Sequence, residues 1–115
     1  MFNQVLHGGA HRLPTRPLGA KLPQNQRVSW YEIAPGDRCT RHVHTGKTES
    51  WLIIAGTGEA SVGDTTHVVT IGDVLVTEPG VPHGLLNTGD VPLRFVNVAL
   101  HLGDEPVSTR ELPEE

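Results

Sequence analysis

The strongest constraint on this chain is its punctuation. From Arg27 onward, short stretches rich in β-branched and aromatic residues are cut by turn formers. The cuts fall at Ala34-Pro-Gly-Asp37, Gly46, Gly56-Thr-Gly58, Gly63-Asp64, Gly72-Asp73, Glu78-Pro-Gly-Val-Pro82 and Asn87-Thr-Gly-Asp90. No interval holds a helical apolar period long enough for a helix, whereas each is long enough for a strand. Ala34-Pro35-Gly36-Asp37 has the proline-then-glycine order of a type II turn. Gly63-Asp64, between Glu59–Val62 and Thr65–Ile71, reads as the turn of a hairpin. The resulting expectation is an all-β protein of about eight to ten short strands, a sandwich or jelly-roll barrel.

The 115 residues suffice for one domain with one core. Residues 1–26 carry Pro14, Pro17 and Pro23, which exclude a long helix and favour an extended arm, with Val5-Leu6 as part of a short edge strand. The arm is expected to pack on the barrel or on a dimer partner. Residues 27–102 form the barrel, and residues 103–115 an acidic tail.

The formal charge is −4, from nine Lys+Arg against thirteen Asp+Glu, and no basic run occurs. A nucleic-acid or anionic-membrane partner is therefore not expected. The charge is lopsided. Arg12, Arg16, Lys21 and Arg27 all precede the first acidic residue, Glu32, while Asp104, Glu105, Glu111, Glu114 and Glu115 face only Arg110 in the tail. Solvated ends and mutually attracting ends both fit this pattern. Cys39 is the only cysteine, no apolar run reaches membrane-spanning length, and the start does not read as a signal peptide. A cytoplasmic location is the expectation.

The chemistry is concentrated between His42 and His83. In a strand, residues i and i+2 share a face, so His42, His44 and Thr40 should point one way and Cys39, Arg41 and Val43 the other. Gly46 then turns the chain, and Glu49 can project toward the same interior from the next strand. Trp51 and Ile53 share its face and would wall a cavity, as would Leu85 beyond the fourth candidate ligand, His83. Two imidazoles and a carboxylate are a ligand set of non-haem iron, and they also suit Mn, Ni, Cu and Zn. Taken alone, His42-Val-His44 fits two exposed strand histidines equally well. His7, His11 and His67 read as surface residues. His101 and Glu78 are candidate acid–base groups, and Lys47 and Arg41 candidate contacts for an anionic substrate. One of Trp30 and Tyr31 should line the cavity, since they face opposite ways. Asn87 reads as turn support.

The spacing Gly36-x5-His42-x-His44-x4-Glu49-x6-Gly56 resembles the first signature motif of the cupin superfamily at every position, and Gly72-Asp73 followed by Gly80-x2-His83-x3-Asn87 is similar to the second. One departure is Glu78, which stands where the family pattern has proline; Pro79 follows it. The resemblance covers about half of the chain. It implies a double-stranded β-helix, or jelly-roll barrel, like that of small single-domain bacterial cupins, and commonly a homodimer. It also implies one divalent transition metal per chain (Fe, Mn, Ni, Zn or Cu) held by His42, His44, Glu49 and His83.

Three neutral imidazoles and one carboxylate leave a divalent site with about one positive charge, so an anionic oxygen donor suits the open positions. The expected activity is metal-dependent chemistry on a small anionic or chelating metabolite, with oxidative cleavage by a dioxygenase favoured. Isomerase, lyase or decarboxylase chemistry with the metal as Lewis acid is the alternative. A non-catalytic small-molecule-binding protein is the reading from a different class.

Overall fold

The structure is a computed structural model that describes residues 4–6, 8–103 and 106–112. Among these residues every regular element is a strand. They are β1 (Gln4–Leu6), β2 (Ala10–Leu13), β3 (Gln26–Ile33), β4 (Arg38–Thr45), β5 (Lys47–Ala55), β6 (Gly58–Val62), β7 (Thr65–Val69), β8 (Val74–Thr77), β9 (His83–Asn87), β10 (Leu93–His101) and β11 (Ser108–Glu111). They form two antiparallel sheets, a six-stranded one ordered β1-β2-β3-β10-β5-β8 and a five-stranded one ordered β11-β4-β9-β6-β7. The all-β jelly-roll expectation is met.

The turns explain the connections. Asp37 N–H donates to the Ala34 carbonyl at 3.0 Å, and Gly36 sits at φ 80°, the left-handed value that a type II turn requires. Val62 pairs with Thr65 across Gly63-Asp64, so that hairpin closes on two residues. The connection after β4 is shorter than Thr45–Thr48, the loop read from the sequence. Strand runs to Thr45 and resumes at Lys47, with only Gly46 between them at φ 78°. β4 and β5 belong to different sheets, so this one residue carries the chain from one wall of the sandwich to the other.

Strand alternation builds the interior. Leu93, Phe95, Asn97 and Ala99 of β10 are buried, and so are Ser29, Tyr31 and Ile33 of β3 and Glu49, Trp51 and Ile53 of β5. Along β10 the partners change in character. Leu93 lies opposite Ile33, and Phe95 opposite Tyr31 and Ile53. Asn97 then lies opposite Ser29 and Trp51, Ala99 opposite Arg27 and Glu49, and His101 opposite Lys47. One end of the barrel is thus an apolar plug, in which Ile33, Ile53, Leu93 and Phe95 are fully buried. The other end is polar and open.

β2 pairs with β3 within the same chain, from Ala10 opposite Ile33 to Leu13 opposite Trp30. β11 pairs with β4, from Ser108 opposite Thr45 to Glu111 opposite His42. β11 flanks the polar end, whereas β2 runs from the apolar plug toward the middle of β3. His7, Asp104, Glu105, Glu114 and Glu115 lie outside the described residues, so the attraction between the chain's ends considered above is not described beyond Glu111.

Candidate metal centre

Four side chains from three strands meet at the polar end. His42 and His44 come from β4, Glu49 from β5 and His83 from β9. One potential ligand atom from each lies within 4.8 Å of all the others, and all four residues are buried. His83 is brought in by ladder pairing, being the direct partner of His42. The turn before it has Val81 N–H donating to the Glu78 carbonyl at 3.2 Å, with Gly80 at φ 82°. Gly80 N–H also donates to the His44 carbonyl at 2.8 Å, tying that turn to β4. Glu78 in place of proline leaves this turn intact, because Pro79 and Gly80 occupy its two central positions.

Each imidazole is oriented from behind. His42 Nδ1 donates to the Thr40 carbonyl at 2.7 Å, and His83 Nδ1 to the Val81 carbonyl at 3.0 Å. A carbonyl can only accept, so both rings carry a proton on Nδ1, and each ring in its neutral form presents a lone pair at Nε2. His44 Nδ1 meets the Thr109 hydroxyl of β11 at 2.8 Å. Such outer partners set the tautomer that a metal requires.

The two oxygens of Glu49 have different surroundings. Oε2 accepts from Asn97 Nδ2 at 2.8 Å and lies 3.4 Å from Lys47 Nζ. Oε1 lies 3.1 Å from His44 Nε2 and 3.3 Å from His83 Nε2. Neither Glu49 Oε1 nor His83 Nε2 has a partner in hydrogen-bonding geometry, although both are buried. With His83 neutral and its proton on Nδ1, two acceptors face each other across 3.3 Å. Convergent buried acceptors need a cation between them, and the donor set of three imidazole nitrogens and one carboxylate suits a divalent transition metal. The residues therefore fit the group that the sequence pattern implies.

The electrostatics keep the ligands in binding form. Burial lowers the pKa of His44, and Lys47 and His83 add to this, while contact with Glu49 offsets part of it. Burial would raise the pKa of Glu49, but the approach of His44 and His83 and the Lys47 ammonium overcome it and hold this carboxyl below the usual range. A neutral imidazole and an ionised carboxylate are the metal-binding states of these groups.

A cavity of about 350 Å³ opens beside the cluster. Its wall includes His42, His44 and Glu49, the aromatic rings of Tyr31, Trp51 and Phe95, and the cationic side chains of Arg12, Arg27 and Lys47. The aromatic rings are stacked in series. Phe95 lies 4.5 Å from Trp51 and 5.2 Å from Tyr31, centroid to centroid. A larger hollow of about 470 Å³ on the β4-β9-β6 side contains none of the four cluster residues. The smaller cavity is the one that matters for chemistry.

Several side chains lie elsewhere than strand parity suggests. β4 carries a bulge. Cys39 pairs with Leu85, yet His42 pairs with His83, so β4 advances three residues while β9 advances two. The extra residue reverses the alternation. Cys39, expected to face away from the ligands, is buried and lines the cavity. Thr40, expected on the ligand face, is not part of the cavity wall, and its hydroxyl donates to Glu111 Oε2 at 2.9 Å. The bulge also interrupts the ladder at Thr40, whose carbonyl is the one that orients His42.

The other candidates divide. Trp51 and His101 line the cavity. Ile53 and Leu85 are buried in the apolar core instead, at 0% and 2% exposure. Glu78 is exposed on its turn and absent from the cavity wall. Tyr31 is the aromatic residue of its pair that faces inward, while Trp30 donates from Nε1 to the Pro14 carbonyl. Asn87 supports a turn, donating to the Ile33 and Val91 carbonyls and accepting from Gly89 N–H.

Sequence reasoning missed Asn97, Thr109 and Arg12. Asn97 had one available signal, an amide at an inward position of a long apolar strand. Thr109 and Arg12 come from the chain's flanks, and only the pairing of β11 and β2 brings them to the site.

Comparisons with known proteins agree on the architecture. The model of the Cupin_2 family, described as a cupin domain, matches residues 29–99. Mannose-1-phosphate guanylyltransferase 2 of Escherichia coli O157:H7 is 28% identical over 104 residues, which is 85% of this chain and 22% of that protein. The chain thus spans about a fifth of that relative's length. Protein SchB of Streptomyces halstedii is 35% identical over 71 residues, 62% of this chain and 49% of SchB. Among solved structures, a conserved protein with a double-stranded β-helix domain from Klebsiella pneumoniae superposes with a TM-score of 0.68 at 28% identity, covering 84% of this chain and 90% of that one. A predicted oxalate decarboxylase from Thermotoga maritima gives 0.73 at 24% identity, with 88% and 91% covered, and is similar in fold.

Proposed function

The chain belongs to the cupin family, whose domain model covers residues 29–99, and on that premise we propose that it is a metal-dependent enzyme acting on a small anionic metabolite. One observation carries the reading. His42, His44, Glu49 and His83 converge within 4.8 Å, and Glu49 Oε1 and His83 Nε2 are buried there without hydrogen-bond partners. The metal would be one divalent transition ion per chain. When bound it would supply Lewis-acid polarisation of an oxygen donor or, as iron, dioxygen chemistry.

The chain's own residues then have separable tasks. Asn97 and Lys47 hold Glu49 through Oε2 and leave Oε1 facing the imidazoles. Tyr31, Phe95 and Trp51 make an apolar wall that keeps water from that side of the cavity. The Arg12, Arg27 and Lys47 cations favour an anion, with Glu49 the only carboxylate on the wall among the described residues. The guanylyltransferase relatives are named for a sugar phosphate, which belongs to the same class of small anions.

Oxidative cleavage remains the leading reaction. The non-redox alternative, isomerisation or lyase chemistry through an enolate, is favoured by one feature. Lys47 and His101 are paired neighbours on β5 and β10 and both line the cavity, so a proton carrier is at hand. Anaerobic reconstitution with Fe(II), followed by oxygen uptake in the presence of oxo- and hydroxy-acids, tests the first. Deuterium exchange next to the substrate carbonyl, with Mn, Ni or Zn, tests the second. Neither signal with any of these metals would leave a binding protein without catalysis.

We further propose a homodimer in the reducing cytoplasm, the latter consistent with a single buried cysteine. Support for the dimer comes from the outer face of the six-stranded sheet. Trp30, Val96, Leu52 and Val74 are successive cross-strand partners there, and Val28, Val98, Ser50 and Val76 form the next row. Val74 and Val76 are more than half exposed. An apolar sheet face of this breadth is suited to a second copy of the chain.

A further inference from the structure

We propose that Arg12 is the seat of a second anionic group of the substrate, so that the metabolite is a bifunctional anion. One end would present oxygen donors to the His42, His44, Glu49 and His83 cluster. The other would carry a carboxylate or a phosphate monoester. This rests on the reading of the cluster as a metal site and adds the substrate's chemical class to it.

Arg12 stands at an inward position of β2. Its neighbour on that face, Ala10, is buried in the apolar core, and its partner across the ladder is Tyr31. An arginine at such a position needs compensation. Its guanidinium carbon lies 6.0 Å from the Tyr31 ring centroid, a cation–π contact that holds the group over the aromatic wall. The contact leaves one N–H donor unanswered. Nε is buried without a hydrogen-bond partner, and no carboxylate forms an ion pair with Arg12 among the described residues. A planar guanidinium that is partly desolvated and pre-oriented on a ring is a bidentate receptor for an oxyanion.

Charge balance points the same way. Among the described residues, a divalent ion with Glu49 and Lys47 sums to +2, and Arg12 and Arg27 on the same wall raise this to +4. A monoanion engaged at the cluster leaves the guanidinium end uncompensated, whereas an anion charged at both ends answers both. The cavity volume of about 350 Å³ is near the small end for ligand sites, which suits a compact metabolite.

The test uses the full chain stripped of metal by a chelator, so that the anion seat is read apart from the metal site. Inorganic phosphate and malonate are titrated separately while amide resonances are followed by NMR. Both probes, or one of them, should move the Ala10–Leu13 and Ser29–Tyr31 amides, and which one does so distinguishes phosphate from carboxylate. Arg12→Gln should weaken the effect by about tenfold or more, as loss of charge-assisted hydrogen bonds implies. Arg12→Lys, which keeps charge but loses the fork, should fall between and serves if the glutamine variant does not fold. Both variants should still take up cobalt(II) as the wild type does. His42→Ala should lose cobalt(II) yet bind the anion unchanged, so failure of the metal reading and failure of the anion seat give different results. Equal anion binding in wild type and Arg12→Gln, shifts confined to other surfaces, or no binding of either probe would overturn the proposal.

Discussion

Asn97→Ala is the most informative single substitution, because Asn97 touches the cluster only through Glu49. Its Nδ2 donates to Glu49 Oε2 at 2.8 Å, and both side chains are buried. The bond is charge-assisted, and such bonds contribute about 1.5–3 kcal/mol. Removing it leaves Lys47 as the remaining donor close to Oε2. Two consequences follow. The Glu49 carboxylate is less favoured over its neutral form, so its pKa should rise from its depressed position. Affinity for a divalent metal should fall by about 10–100-fold, the range for loss of an outer partner of a ligand. Cobalt(II) titration against a competing chelator measures the second effect, and carboxyl-carbon NMR of metal-free protein measures the first. Both should move together. An affinity within about threefold of wild type, in a variant with a normally dispersed spectrum, would refute the argument that Oε2 anchoring prepares Oε1 for the metal.

Three further outcomes are expected. Metal-free protein should lose stability as pH falls below about 6.5, the ordinary imidazole value. His44 has its pKa lowered on folding, so the unfolded chain binds the proton first, and Glu49 extends the loss to lower pH. Urea denaturation at a series of pH values checks the sign, and stability that rises on acidification would contradict it. Phe95→Ala, at a residue 1% exposed and stacked between Trp51 and Tyr31, should cost about 3–5 kcal/mol; thermal melting should fall by more than about 10 °C. Leu52→Lys should convert a dimer to a monomer in sedimentation equilibrium without changing metal uptake, and a wild-type chain that sediments as a monomer would dispose of the dimer proposal.

Much of the fold was legible because turn chemistry is local. Pro35-Gly36 and Gly63-Asp64 each specify a backbone conformation that few other residues tolerate, and both turns occur as read. Three of the four cluster residues were legible for a related reason, and His83 through the motif resemblance. Alternation within β4 relates His42 to His44, and the short connection through Gly46 limits where Glu49 can go. Thr40 and Cys39 exchanged faces because a bulge is a property of two strands compared, and β9 is remote in sequence. Ile53 and Leu85 are inward residues, as parity suggests, but inward has two meanings in a barrel. Near the apolar plug it means core, and near the open end it means cavity. The position along the barrel axis depends on ladder register.

By itself, then, the sequence determined the strand-and-turn order and the grouping of His42, His44 and Glu49, since both depend on short-range stereochemistry and on residue type, while His83 was named through the motif resemblance and reaches the others by ladder pairing. Tertiary pairing decided which groups stand behind and opposite them. Thr109 reaches His44 only because β11 adds to the edge of β4, and Arg12 reaches the cavity only because β2 adds to β3. These contacts join residues far apart in the chain. Their energies come from completing the ladders of a closed sandwich, which no local pattern encodes.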